Sequence, residues 1–137
     1  METISTALCD FAADYQGKLC IIGAFDTIWA RSFPAVHPQC TVALRLLLRE
    51  EDKGEHRIQV LFVNPDGHSL IPVEKSPNVT FNLPALPPES FFLSQNFVFH
   101  FQGLPFPQPG VYDVRVLIDG RPISTLPLQV MQTVQTG

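Results

Sequence analysis

Residues 111–120 read Val-Tyr-Asp-Val-Arg-Val-Leu-Ile-Asp-Gly, and this stretch decides the fold class of the chain. Its apolar residues alternate with Asp113 and Arg115, which is the period of two expected of a half-buried β-strand. Asp119-Gly120 is a favoured sequence for the two-residue turn of a β-hairpin. We therefore expect a hairpin whose second strand runs over residues 122–131.

The second strand of this hairpin contains Pro127, which cannot donate a hydrogen bond to a neighbouring strand. We therefore expect an edge strand, which also offers a surface for self-association. The apolar residues change phase along the strand, and we expect a β-bulge near Leu126 and Pro127 to reconcile them.

Six further segments are short and rich in apolar β-forming residues. At residues 41–50 the alternation predicts a strand, although the Leu, Arg and Glu content also suits a helix. At residues 97–101 three phenylalanines alternate with Val98 and His100, which predicts a central strand with buried rings. The other segments are 7–13, 19–29, 57–63 and 79–83.

Proline and glycine, with 13 and 8 residues, separate these segments. Gly17 can supply the positive φ of a tight hairpin turn between the first two segments. Residues 64–67, Asn-Pro-Asp-Gly, match a type I turn, after which we expect residues 69–74 to be extended. Residues 83–88 contain three prolines and predict an extended crossover between two sheets.

This rhythm of about eight short strands predicts an all-β fold, an antiparallel β-sandwich, with a barrel as the alternative. The length of 137 residues is typical of one domain, so we expect residues 1–137 to form a single unit. The tail, residues 132–137, is polar and is expected to fray.

The net charge of -4 gives no electrostatic reason to bind nucleic acid or an anionic membrane surface. No apolar run approaches the roughly 18 residues that cross a bilayer. The start of the chain carries Glu2, Asp10 and Asp14 and lacks the basic segment of a signal peptide. We therefore expect a cytoplasmic protein that binds neither nucleic acid nor membrane.

The three cysteines, at positions 9, 20 and 40, lack the Cys-x-x-Cys spacing of metal and redox sites, and we expect free thiols. With a two-residue turn at Gln16-Gly17, Cys20 would face Ala13 and Cys9 would face Ala24. That register places the two sulfurs beyond bridging range.

The four histidines show no paired metal-ligand spacing, so we expect no metal ion. The chain contains no Gly-x-Ser-x-Gly elbow, glycine-rich phosphate loop or nucleotide fingerprint. We therefore expect neither a cofactor nor enzymatic activity.

Large apolar residues in proline-marked loops form the candidate binding site: Trp29, Phe33, Leu104 and Phe106. Such residues either close the ends of the core or form an exposed patch for a partner. In the second case Trp29 and Phe106 are the natural anchors. We expect Trp29, Phe33 and Phe106 at the same end of the molecule, with at least one ring partly exposed.

Two stretches of the sequence are distinctive: Leu-Cys-Asp at 8–10 running into residues 17–26, and Pro-Gly-Val-Tyr at 109–112 running to Leu-Pro-Leu at 126–128. Together they resemble a family of uncharacterised bacterial proteins of about this length. The resemblance covers nearly the whole chain and implies a bacterial source and a shared fold, without implying chemistry. The second stretch is also similar to the closing hairpin of many immunoglobulin-like domains.

The leading hypothesis is a noncatalytic binding or scaffolding module that acts on another protein. The alternatives are a small-molecule or carbohydrate binder that uses Trp29 or another loop aromatic as a stacking platform, and an unrecognised enzyme. A deep pocket with converging polar groups would favour the alternatives, whereas an apolar patch would favour protein binding.

Overall fold

The computed structural model describes residues 1–134, which form nine β-strands and two short 3-10 turns. The strands are β1 (Glu2–Tyr15), β2 (Lys18–Ala24), β3 (Thr27–Ala30), β4 (Ala35–Leu48), β5 (Gly54–Val63), β6 (Asn78–Leu83), β7 (Leu93–Phe106), β8 (Gly110–Ile118) and β9 (Arg121–Gln132). The 3-10 turns are Glu50–Asp52 and Val73–Lys75. Residues 41–48 therefore adopt the predicted strand and not the alternative helix.

The strands form two sheets, and the predicted all-β sandwich is confirmed. Sheet A has the order β2-β1-β4-β7, and sheet B has the order β3-β9-β8-β5-β6. Neighbouring strands are antiparallel except for β3 and β9, which run parallel. The sandwich has nine strands where the sequence predicts about eight, because the segment 19–29 is divided between β2 and β3.

The core lies between the sheets, and β4 supplies its centre with the fully buried Val42, Leu44 and Leu46. Burying each such side chain stabilises the fold by roughly 1.5–3 kcal/mol. Phe62 of sheet B meets Phe101 of sheet A edge to face, with ring centroids 4.9 Å apart. Aromatic pairs of this geometry add to the stabilisation from burial alone, so the two sheets are held in one mutual position.

The first hairpin has the predicted register. Tyr15 pairs with Lys18 across the two-residue turn Gln16-Gly17, whose φ angles of 53° and 79° are those of a type I′ turn. Cys9 faces Ala24, and Ala13 faces Cys20, as that turn requires. The three cysteines are free.

The last hairpin turns at Asp119-Gly120, as predicted. The expected bulge near Leu126 is wrong in position, because the register shifts next to the turn and leaves Ile123 as the extra residue of β9. Pro127 pairs with Asp113 of β8 on one side only. The expected edge strand is wrong for β9 as a whole, because β3 pairs with residues 129–132 and is itself the edge of sheet B, although Pro127 lies on the part of β9 that β3 leaves open.

Two strand predictions need correction. Residues 97–101 belong to β7, which is an edge strand of sheet A and not a central one, although the three rings are buried as expected. Residues 69–74 do not form a strand, because Leu70 makes one backbone hydrogen bond to Phe62 and the chain then enters a 3-10 turn. The proline-rich residues 84–88 carry the chain from sheet B to sheet A, as predicted.

The C-terminal segment is ordered further than expected. Gln132 belongs to β9, and the backbone N–H of Thr133 donates to the carbonyl of Ala30. Residues 135–137 of the predicted frayed tail lie outside the described residues.

Residues 10–24, which we call the flap, comprise the end of β1, the turn at Gln16-Gly17 and β2. The flap folds back over the outer face of sheet A. Arg45 of β4 donates from Nη1 to the carbonyl of Gly17 at the tip of the flap, over 2.9 Å. Asn96 of β7 donates from Nδ2 to the carboxylate of Asp14, over 2.8 Å. These contacts cover Thr41 and Ala43, which point away from the main core and are nevertheless fully buried.

A second, smaller cluster of apolar side chains fills the space between the flap and sheet A. Its members are Cys9, Ala12 and Ala43, with Leu19 and Val98 packed at the margin. Small side chains at the contact allow the two layers to approach closely. The flap therefore forms a third layer over part of sheet A.

A polar cluster fixes the opposite end of the sandwich. His56 hydrogen-bonds through Nδ1 to the Asp119 carboxylate, over 2.7 Å, and Asp119 also accepts the backbone N–H of Arg57. The hydrogen bond that His56 donates to the Asp119 carboxylate raises the pKa of His56 above its usual value of 6.5 and lowers the pKa of Asp119. The cluster joins the β8–β9 turn to β5.

The contribution of the His56–Asp119 pair to the free energy of unfolding should depend on pH. A raised pKa means that His56 holds its proton more tightly in the folded state than in the unfolded state. The pair therefore adds its full contribution to the free energy of unfolding below the ordinary histidine pKa, and this contribution disappears as pH rises through the pKa of His56 in the folded state. We expect Asp119→Asn, which keeps an acceptor for Arg57 and suits the turn, to lower the free energy of unfolding by about 0.5–1 kcal/mol near pH 6. Urea unfolding should show almost no difference near pH 9. An equal loss at both pH values would contradict this assignment.

Candidate functional site

Two of the four predicted site residues belong to the core. Leu104 and Phe106 are 1% and 0% exposed, because β7 continues through them and Gly103, with a φ of 64°, shifts the phase of the strand. The ring of Phe106 packs edge to face on Tyr112, with centroids 5.1 Å apart. These side chains close the end of the core, and their burial removes them from any binding surface.

Phe33 and Trp29 differ in their exposure. Phe33 is partly buried and packs against the main core. Trp29 is 62% exposed, on the short edge strand β3. Both lie at the end of the sandwich where β7 ends at Phe106, which is also the end where β8 begins.

Trp29 belongs to an exposed apolar surface on the outer face of sheet B. It pairs with Met131, which is 39% exposed, and Val111 follows on β8 with 60% exposed. Val111 pairs with Gln129, one step along β9 on the same face as Met131. Trp29, Met131 and Val111 therefore form one apolar patch, which we call the Trp29 patch.

A cleft opens beside the Trp29 patch, between β3 and the start of β4. Its volume is about 410 Å³, and its lining comprises Asp10, Phe25, Thr27, Ile28, Trp29 and His37. The rings of Phe25 and His37 lie 5.7 Å apart at centroid distance. The Nε2 atom of His37 is buried and has no hydrogen-bond partner within residues 1–134.

The backbone of β3 faces this cleft with unpaired groups. The carbonyls of Asp26 and Ala30 accept hydrogen bonds from the backbone N–H groups of Gln129 and Thr133. In a parallel ladder, alternate residues point both N–H and C=O towards the same neighbour, so Ile28 also faces β9.

Thr27 and Trp29 alternate with these residues and point their backbone groups away from β9. On that side β3 has no neighbouring strand in the described part of the chain. The wall of the cleft thus presents free donors and acceptors at a spacing that another extended chain can match.

The side chain of Thr27 holds β3 in place. Its hydroxyl donates to the Asp26 carboxylate over 2.8 Å and accepts from Nε2 of Gln129 over 2.9 Å. Asp10 is the charged side chain of the cleft lining. The cleft therefore combines an apolar floor, a backbone edge and one negative charge.

Two of the three cysteines, Cys9 and Cys40, are buried. Burial raises the pKa of Cys40 to about 12 and raises that of Cys9, so both thiols stay protonated at neutral pH. No three His, Cys, Asp or Glu side chains within residues 1–134 are grouped to hold a metal ion. No helix in this described part is long and apolar enough to cross a membrane.

Sequence reasoning missed His37, Asp10 and Phe25 in the cleft, because the parallel pairing of β3 with β9 brings them beside Trp29. One signal was available for the patch. Val111 directly precedes the inward-facing Tyr112, so an apolar residue at 111 points outward on a strand whose other outward residues include Asp113 and Arg115.

A family model described as "Family of unknown function (DUF6941)" matches residues 4–131. The match spans all nine strands except the first two residues of β1 and the last residue of β9. No curated protein matches the chain.

The exposure of Trp29 and the burial of Phe106 predict opposite effects on stability. Phe106→Ala should lower the free energy of unfolding by about 3–5 kcal/mol, because it empties a space in the core. Trp29→Ala should cost less than about 1 kcal/mol, because most of its ring is already in water. Urea unfolding followed by circular dichroism measures both values. Equal losses would mean that Trp29 serves the core and not a binding surface.

Proposed function

The chain belongs to the DUF6941 family of unknown function, and from that premise we propose that it is a noncatalytic module that binds an extended segment of a protein partner along β3. The partner segment would lie in the cleft and add a strand to sheet B. The observation that carries the proposal is the free backbone edge of Thr27 and Trp29 beside the exposed Trp29 ring.

The backbone edge favours an extended peptide as ligand. Strand addition gains affinity from main-chain hydrogen bonds and specificity from pockets that accept alternate side chains. Here Phe25 and Ile28 provide an apolar pocket next to the edge. A partner segment with an apolar residue facing this floor would bury surface that the isolated protein leaves exposed.

The charge of the cleft adds a second requirement. Asp10 lines the cleft, so a lysine or arginine in the partner segment would find a carboxylate at its border. Trp29 supplies the large, stiff contact area that is common among binding hot spots. We therefore propose a partner segment that is extended, apolar at its centre and basic on one side.

The fold that presents this edge is, in our proposal, immunoglobulin-like. The Tyr112 hydroxyl donates to the carbonyl of Gln108, four residues upstream, as the corner tyrosine of immunoglobulin-like sandwiches does near the start of its strand. The parallel pairing of the short edge strand β3 with the last strand, β9, supports the same topology. A bacterial source, a cytoplasmic location and the lack of catalysis are part of the proposal.

A small-molecule ligand is the second candidate, favoured by one observation. The Nε2 atom of His37, which has no hydrogen-bond partner among the described residues, is a polar group that a ligand stacked on Trp29 could reach. The peptide remains the better match, because the cleft lies along a strand edge and the Trp29 patch continues beyond it to Val111 and Met131.

The backbone contact can be tested at Thr27. Thr27→Pro removes the N–H that faces the cleft and leaves the ladder to β9 intact, since that N–H does not bond to β9. Thr27→Ala is the matched control, because it loses the same hydroxyl and keeps the N–H. Peptides selected from a displayed random library on the wild-type protein should bind Thr27→Ala nearly as well and Thr27→Pro at least tenfold more weakly.

A side-chain test accompanies the backbone test. Trp29→Ala should weaken the same peptides at least tenfold, whereas Phe91→Ala, which removes a 91% exposed ring elsewhere, should leave binding unchanged. Affinity purification from the host with mass spectrometry then identifies the natural segment. Binding that survives both Thr27→Pro and Trp29→Ala, or failure to select any peptide, would overturn the proposal.

A further inference from the structure

The outer strand of the flap, β2, is a second free edge with an unusual composition. β2 reads Lys-Leu-Cys-Ile-Ile-Gly-Ala and has a neighbour on one side only, within the described residues. Ile21 and Ile22 are 38% and 62% exposed, and Lys18 is the one charged residue of the strand. An apolar and nearly uncharged edge is a template for pairing with another chain, which proteins ordinarily block with charges or proline.

The hairpin geometry determines which backbone groups of β2 are free. Tyr15 and Lys18 close a two-residue turn, so they form a hydrogen-bonded pair. Alternate residues of β2 therefore point their N–H and C=O groups towards β1, beginning with Lys18 and Cys20. Leu19 and Ile21 point theirs to the open side.

We infer that β2 pairs with β2 of a second copy of this chain, antiparallel, about a two-fold axis at Ile21. The two Ile21 residues then form a hydrogen-bonded pair, and Leu19 lies opposite Gly23 of the second copy. The pairing joins two copies of sheet A into one continuous sheet. The interface is isologous, since each copy contributes the same strand to it.

The charges and side chains of β2 suit this arrangement. The axis places Lys18 opposite Ala24 of the second copy, so the two lysines lie at opposite ends of the interface and do not repel each other. Leu19 faces Gly23, which has no side chain and whose φ of 69° ends the regular extended part of β2. No like charges meet across the axis, the side chains that meet at its centre are the two apolar Ile21 residues, and the apolar surface of both copies leaves water.

Residues on β1 beside the edge enlarge the contact. Phe11 pairs with Ile22 and is 46% exposed, and Tyr15 is 58% exposed. Tyr15 shares the outward face of the flap with Cys20 and Ile22, whereas the ring of Phe11 stacks on His100 of β7, with centroids 6.1 Å apart. This edge replaces the last strand, β9, as the expected site of self-association, because the open part of β9 contains Pro127 and is interrupted by the pairing with β3.

A cysteine in the right place tests the register. The proposed axis puts Ile22 of one copy opposite Cys20 of the other in a non-hydrogen-bonded pair, with Cα atoms about 4.5 Å apart. Ile22→Cys should therefore produce two symmetric disulfides under mild oxidation, and a non-reducing gel should show a covalent dimer of twice the 15.3 kDa mass. The introduced thiol cannot bridge to Cys20 of its own chain, since the two Cβ atoms lie about 7 Å apart on one face.

The matched control is Ile22→Cys combined with Cys20→Ser, which keeps the new thiol and removes its proposed partner. This variant should form the covalent dimer at least tenfold more slowly. Equal cross-linking of both variants would mean random collision and would overturn the register. Absence of cross-linking in Ile22→Cys would overturn the interface itself.

A non-covalent measurement completes the test. Sedimentation of the wild-type protein at increasing concentration should show a shift towards a dimer, and Ile21→Lys, which places two positive charges at the axis, should remain monomeric with an unchanged circular dichroism spectrum. Thr27→Pro should dimerise like the wild type, which separates this interface from peptide binding at β3. A wild-type protein that stays monomeric throughout would overturn the inference.

Discussion

Burial of both faces of β4 is the constraint on which the rest of the structure depends. One face carries Val42, Leu44 and Leu46 into the core between the sheets, and the other carries Thr41 and Ala43 under the flap. A strand that is buried on both faces cannot satisfy its backbone with water, so it needs a strand on each side, which β1 and β7 provide. The small side chains at 41 and 43 then allow the flap to approach.

Local signals predicted the parts of the fold that are decided within a few residues. The turns at Gln16-Gly17 and Asp119-Gly120 and the register of Cys9 opposite Ala24 follow from hairpin geometry alone. The sequence does not locate the bulge in β9. One extra residue moves the apolar side chains of the following residues to the other face of the strand, and it has this effect wherever it is inserted between the turn and those residues. The shift at Gly103 was missed because prolines around it resemble a loop, and its consequence was to place Leu104 and Phe106 in a candidate surface when they belong to the core.

The candidate site could be predicted only in part, since it is made by contacts between distant segments. The exposure of Trp29 depends on where β3 pairs, and its partner β9 lies about a hundred residues further along the chain. Sequence patterns indicate which residues form a strand, but they do not indicate which other strand pairs with it. The same limit applies to the flap, because the apolar segment 7–13 that predicts a strand continues through the point where the hairpin bends over sheet A. Both free edges, β2 and β3, follow from one event, the passage of the chain from sheet A to sheet B between Ala24 and Thr27.

The flap also gives the molecule a region of lower local stability than its core. Few side chains hold it, and its hydrogen bonds to Arg45 and Asn96 are at the surface, whereas the sandwich beneath it encloses the main cluster of buried rings. Segments of this kind open in sub-global fluctuations without unfolding the remainder. Lifting the flap exposes Thr41 and the sulfur of Cys9 to solvent. The exposure of this thiol therefore depends on how often the flap opens and not on unfolding of the whole domain. A second copy paired along β2 would shift the flap towards its closed form, since the pairing needs β2 in place.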